Sequence, residues 1–84
     1  MRLDKYLKVS RLIKRRTVAN EACDSEHVSV NGRKAKASCE VKPGDVIEVR
    51  FGQRTTAVEV LRVSEHATKE DAPAMYREIT RQEN

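Results

Sequence analysis

The sequence predicts an α+β domain: two short N-terminal helices packed on a small antiparallel β-sheet, with a short C-terminal helix. Three observations carry that expectation. Apolar residues recur at helical spacing up to about Ser25 and then alternate in strand fashion from Val28 onward. Turn dipeptides, Asn31-Gly32 and Pro43-Gly44, punctuate the alternating part. Finally, 84 residues with 38% apolar side chains, no Trp and one Phe allow a single modest core of Val, Leu, Ile and Ala.

The first helix is expected from about Arg2 to Val9, because Leu3, Tyr6 and Leu7 fall on one arc and Arg2, Lys5 and Lys8 on the other. Thr17 has N-cap chemistry for a second helix that runs to about Ser25. In it Val18, Ala19, Ala22 and Cys23 share an apolar arc opposite Asn20, Glu21 and Asp24. Val28 and Val30 then alternate with polar residues into Asn31-Gly32, the pair best suited to a tight hairpin, and Arg33 to Lys36 return as the partner strand. Lys42-Pro43-Gly44-Asp45 is a second turn, in which Pro presets one dihedral and Gly supplies a positive φ. Val46 to Phe51 and Thr55 to Val63 are strands joined near Gly52. The alternation of the second breaks at Val60 and Leu61, the mark of a bulge. Thr68 or Asp71 caps a last helix with Met75 and Ile79 one turn apart. Residues 1–66 make the domain proper and 67–84 a helical extension.

Charge is the functional signal. The first seventeen residues carry Arg2, Lys5, Lys8, Arg11, Lys14, Arg15 and Arg16 against Asp4 alone. Residues 1–36 hold ten Lys/Arg against four Asp/Glu, whereas residues 37–84 hold seven against nine. Positive charge is therefore a local device, and its partner is a polyanion. Lys14, Arg15 and Arg16 precede the expected start of the second helix, where the macrodipole already makes cations unfavourable. That conflict is resolved if a phosphate binds there, meeting free N–H groups and guanidinium forks together. By the same reasoning Arg16→Ala is expected to hold or raise stability. Asn31, Gly32, Arg33, Lys34 and Lys36 form a second basic cluster, which would share one concave surface with the first if the hairpin packs beside the first helix.

Other chemistries find little support. His27 and His66 are isolated from any triad or ligand pattern, and no Gly-rich phosphate loop exists, so the chain is not expected to be an enzyme. Cys23 and Cys39 belong to no CxxC, so neither zinc nor another cofactor is expected. With no apolar run of membrane length and no secretory signal, the expected location is the cytoplasm, with both thiols reduced. Only Tyr6, Phe51 and Tyr76 are aromatic, too few for a base-stacking platform. Contacts to phosphate and ribose of folded RNA follow, with the free chain a monomer.

The runs RLDKYL, RRT-x-A, V-x-V-N-G and P-G-D-x-I-x-V closely resemble the S-four RNA-binding domain over roughly residues 1–50, in the family's order and spacing. That resemblance implies two helices on a small antiparallel sheet. It implies an RNA-facing surface of Arg2, Lys5, Arg15, Arg16, Asn31, Gly32 and Lys36, with Asp4 orienting its basic neighbours and Leu3, Leu7 and Ala19 in the core. Charge adds Lys8, Arg11, Lys14, Arg33 and Lys34 to the candidates. Over its whole length the chain looks like the short stand-alone S-four proteins of bacterial ribosome-associated quality control. Those bind ribosomal RNA of the large subunit and peptidyl-tRNA, and help a partner factor add a C-terminal alanine tail to the stalled nascent chain. The fifteen-kilodalton heat-shock proteins, which would imply ribosome recycling, are related but continue into a long basic tail, whereas this chain stops at Gln82-Glu83-Asn84. An accessory RNA-binding module serving an RNA-modifying enzyme, or a protein-interaction module, are the other classes open to it. One departure stands out: the family usually has Gly where Glu26 closes the second helix. A left-handed cap without Gly costs about 1 kcal/mol, so the helix is expected to end differently here.

Overall fold

The computed structural model describes residues 1–79. Helix α1 spans Leu3–Val9 and helix α2 Arg16–Asp24. A five-stranded antiparallel sheet follows, made of β1 (Val28–Val30), β2 (Arg33–Lys34), β3 (Val46–Phe51), β4 (Arg54–Val60) and β5 (Tyr76–Ile79), in the spatial order β2-β1-β3-β4-β5. The register Val28↔Val49, Val30↔Ile47 and Ile47↔Val58 puts the apolar members of each strand on one face. Against that face lie the buried Leu3, Tyr6 and Leu7 of α1 and Ala19, Ala22 and Cys23 of α2, all in one core.

A helix leaves its first N–H groups without internal partners, and in α1 each finds one. Leu3 N–H donates to the Cys39 carbonyl at 2.8 Å and Asp4 N–H to the Ala37 carbonyl at 3.2 Å, while Lys5 N–H donates to the Asp4 carboxylate at 2.8 Å. The chain just before β3 thus clamps the start of α1, reinforced by Val41 N–H on the Met1 carbonyl. At the other side, the Tyr6 hydroxyl donates to the Met75 carbonyl at 2.8 Å, tying α1 to the entry of β5. Burial pushes that hydroxyl's pKa up, with Tyr76 adding to the effect.

Several boundaries differ from expectation, each for a physical reason. Helix α2 starts two residues earlier, at Arg16, with the extended Arg15 in place of Thr17 as N-cap and no side-chain cap bond, so Thr17 lies inside the helix. The buried stripe of α2 is narrower too: Ala19, Ala22 and Cys23 face inward, while Val18 is 42% exposed. The second helix keeps the family's left-handed exit despite lacking Gly, because Glu26 itself takes φ 66°. Two bonds hold it there, Glu26 N–H to the Cys23 carbonyl and His27 N–H to the Ala22 carbonyl, the pattern of a Schellman cap. Strand β2 ends at Lys34, two residues short. Asn31 and Gly32 have φ 53° and 83°, as a mirror-image hairpin turn requires, and Gly44 has φ 96° in the Pro-Gly turn.

The expected C-terminal helix is corrected. Ala72–Met75 forms one 3-10 turn, and the backbone is extended from Tyr76. Tyr76–Ile79 pairs with Ala57–Val60 as a fifth strand. The Met75 carbonyl already accepts the Tyr6 hydroxyl and the N–H groups of Leu61 and Arg62. Leu61 and Arg62 thus oppose one carbonyl, bulge-like hydrogen bonding immediately past β4. The rest of the expected helix, with Arg81, lies outside the described residues.

Candidate nucleic-acid interface

Asp4 organises the basic surface. It is 2% exposed, yet it is ionised and surrounded by donors. Arg2 Nε approaches Oδ1 at 3.2 Å, Arg16 Nε approaches Oδ2 at 3.5 Å, and the Asn20 amide donates to Oδ2 at 3.2 Å. The Lys5 N–H completes the set. Burial works to raise the Asp4 pKa. The Asn20 and Arg2 hydrogen bonds, the Arg16 charge and the Lys5 N–H outweigh it, and the carboxyl is held below its ordinary value.

The consequence is geometric. Arg2 is gripped through Nε and Nη2 and Arg16 through Nε, while about half of each side chain remains exposed (51% for Arg2, 49% for Arg16). One edge of each fork is therefore fixed by a buried carboxylate, and terminal nitrogens remain available for an anion. Fixing a long side chain before binding removes part of the rotamer entropy that binding otherwise costs. Arg16 is also the first residue of α2, so its fork stands where N–H groups of that helix lack internal partners. The pairing revises the stability expectation for Arg16, since this cation partly neutralises a buried carboxylate.

The remaining candidates fall into three places. Lys8, Arg11 and Lys14 line a cleft beside α1, and Arg15 is exposed as the N-cap of α2. Lys5 is ion-paired with Glu65. The hairpin cluster lies elsewhere. Lys34 reaches Glu26 at 3.4 Å, beyond the far end of α2, about 13 Å along the helix axis from Arg16 at the usual rise. Arg33 and Lys36 are exposed, but Lys36 adjoins Ala37, whose carbonyl accepts the Asp4 N–H, so it stands near the start of α1. Asn31 is engaged in structure: its side-chain amide donates to Asp45 at 3.1 Å and its oxygen accepts Val46 N–H at 2.9 Å. Gly32 serves the turn. The structure thus joins Arg2 and Arg16 through Asp4, and sets Lys34 apart beyond the far end of α2.

Asn20 is the residue that sequence reasoning missed. Its signal was present, since Arg16 and Asn20 are four apart and share one helix face, but nothing local showed that Asp4 would meet that face.

The family model described as S4 domain matches residues 1–47, the span that contains both helices, the Asp4 cluster and the Asn31-Gly32 hairpin. This chain belongs to the S4 domain family. A Bacillus subtilis (strain 168) relative named "RQC P-site tRNA stabilizing factor" is 57% identical over 76 residues, covering 90% of this chain and 88% of the relative. A relative of the same name from Halalkalibacterium halodurans is 52% identical over 83 residues, covering 99% and 93%. Among solved structures, trimeric Vibrio cholerae heat shock protein 15 superposes with TM-score 0.86 at 31% identity, over 94% of this chain and 81% of that one. In this S4 domain chain, then, the family unit supplies the two helices and the clamp on Asp4. Strands β4 and β5 extend the sheet beyond it and anchor α1 through Tyr6.

Among the described residues no group of His, Cys, Asp and Glu is arranged to hold a metal. Among the same residues no helix is long and apolar enough to cross a membrane. Cys23 is buried, and burial first, then Asp4, Asp24 and Cys39, push its thiol up to about 11.

Proposed function

We infer that this chain binds the large ribosomal subunit carrying peptidyl-tRNA and supports ribosome-associated quality control of stalled nascent chains. It acts in the cytoplasm as a binding protein and not as an enzyme. The observation that carries the reading is the pair of arginines held by buried Asp4, presented on the basic side of an S4 domain. Relatives above 50% identity over most of both chains, named for RQC and P-site tRNA, support tRNA on the ribosome as the partner of this chain. The arginine forks take backbone phosphates, with Lys8, Arg11, Lys14 and Arg15 adding to the attraction. The hairpin residues Arg33 and Lys34 contact RNA toward the far end of α2, and Lys36 adds charge nearer the start of α1. A nascent-chain-tailing factor is the protein partner expected on the same subunit.

The test is sucrose-gradient sedimentation of tagged full-length protein from cells, followed by a salt series on purified large subunits. Co-sedimentation with large subunits bearing peptidyl-tRNA is expected. If about four phosphates are neutralised, affinity should fall roughly a thousandfold for a tenfold rise in salt. A flat salt response, or co-purification with an RNA-modifying enzyme in place of subunits, would overturn the reading.

The likeness to heat shock protein 15 supports a second reading, ribosome recycling after heat shock. It predicts subunit association that rises with temperature stress and is indifferent to stalling.

A further inference from the structure

We propose that the segment 65–69, from the acidic half of the chain, completes with the C-terminal end of α1 a second phosphate-binding site. It would take one backbone phosphate and its ribose from the RNA. The inference rests on the RNA-binding reading above and adds a site to it. A cleft of about 700 Å³ opens between Lys8, Arg11 and Lys14 on one side and His66, Thr68 and Lys69 on the other. That volume suits a nucleotide. None of its four cations, Lys8, Arg11, Lys14 and Lys69, makes an ion pair with a described residue, whereas the one carboxylate on its wall, Glu65, is taken by Lys5. The cleft therefore presents four uncompensated charges.

Three further features agree. Arg11 follows the Ser10 C-cap with φ 64°, a left-handed conformation that would suit Gly, so a cation is held at a strained position on the cleft wall. The Lys5–Glu65 pair pins the segment to α1 one turn before Lys8. The Thr68 hydroxyl oxygen accepts Asp71 N–H at 3.2 Å, leaving its proton free to donate to a phosphate or ribose oxygen. Lys8 lies one turn beyond Asp4 on α1, so the cleft adjoins the Arg2–Arg16 pair and RNA can follow α1 from one to the other.

The test compares full-length Lys69→Gln with Lys42→Gln, an equal charge change in the exposed Pro-Gly turn. Binding to purified bacterial large subunits carrying peptidyl-tRNA is measured over a salt series. Lys69→Gln is expected to weaken binding about three- to tenfold and to flatten the log–log salt slope by about one. Lys42→Gln should stay within twofold of wild type. Arg16→Ala separates the two readings. If Arg16→Ala weakens binding while Lys69→Gln matches Lys42→Gln, the cleft is refuted and the RNA reading stands. If neither Arg16→Ala nor salt affects binding, the RNA reading fails and takes the cleft with it.

Discussion

Replacing Asp4 with Asn sets two explanations of the basic surface against each other. The substitution removes one negative charge, so a surface working by charge density alone should bind RNA more tightly. A surface whose arginines are oriented by Asp4 should bind more weakly. The structure favours the second outcome, because Arg2 and Arg16 both hold their Nε against the same buried carboxylate. Loss of that anchor frees two long side chains, and re-ordering each costs about 0.5–1.5 kcal/mol on binding. Since Asn still offers an oxygen, a three- to tenfold loss of affinity is the expected net. Stability falls as well. Each half-exposed arginine pair is worth under about 1 kcal/mol after screening, and the carboxylate at the start of α1 adds a few tenths to 1 kcal/mol. Asn keeps the Lys5 N–H bond and avoids burying a charge, so about 1–2 kcal/mol should be lost. In a domain of this size that is roughly 5–15 °C in Tm. The pH dependence has a definite sign. A carboxyl whose folded pKa is depressed contributes stability above its unfolded pKa of about 3.9, and loses it as pH falls through the folded value. The gap between wild type and Asp4→Asn should be level above about pH 5 and shrink below about pH 4. Thermal melts by circular dichroism from pH 3 to 7, with RNA affinity at pH 7, measure both halves. Tighter RNA binding by a folded Asp4→Asn, or a melting gap unchanged by acid, would refute the reasoning.

Arg16→Ala should lower affinity for large subunits by about 1.5–3 kcal/mol, the range for a hydrogen bond to a charged group. It should cost under about 1 kcal/mol of stability, because Asp4 keeps Arg2, Asn20 and the Lys5 N–H. Arg16→Lys should recover part of the binding and Arg62→Ala should bind nearly as wild type, read by co-sedimentation and melting. Glu26→Gly should raise stability by up to about 1 kcal/mol in denaturant titration, since Gly relieves the left-handed φ. The Lys34 pair it loses is exposed on both sides and offsets little; a destabilised Glu26→Gly would show that this pair matters more. Ala in place of both Cys23 and Cys39 should leave RNA binding intact with a modest loss of stability, because Cys23 acts as a small apolar core residue. Loss of binding by the folded double variant would contradict that role.

Local signals alone determined much of this protein. The spacing of Leu3, Tyr6 and Leu7 needs only the helical repeat, and Asn31-Gly32 and Pro43-Gly44 need only their own dihedral preferences. The concentration of Lys and Arg in the first half is visible by inspection, as are the runs that mark the S4 domain. What the sequence could not decide were competitions between distant segments. Met75 and Ile79 fit a helix locally, but a short isolated helix is marginal in water. The open edge of β4 offers Tyr76–Ile79 a full ladder of hydrogen bonds. Glu26 has a poor residue type for a left-handed cap, yet two Schellman bonds hold it there. Two of Asp4's four partners lie 12 and 16 residues away on another helix, and Lys69 shares a cleft with Lys8 only because the chain between β4 and β5 passes back beside α1. Propensity and period act over a few residues, where the repeat itself brings side chains together. Which charge meets which carboxylate is set by packing two helices against a sheet, and that became visible only in the folded chain.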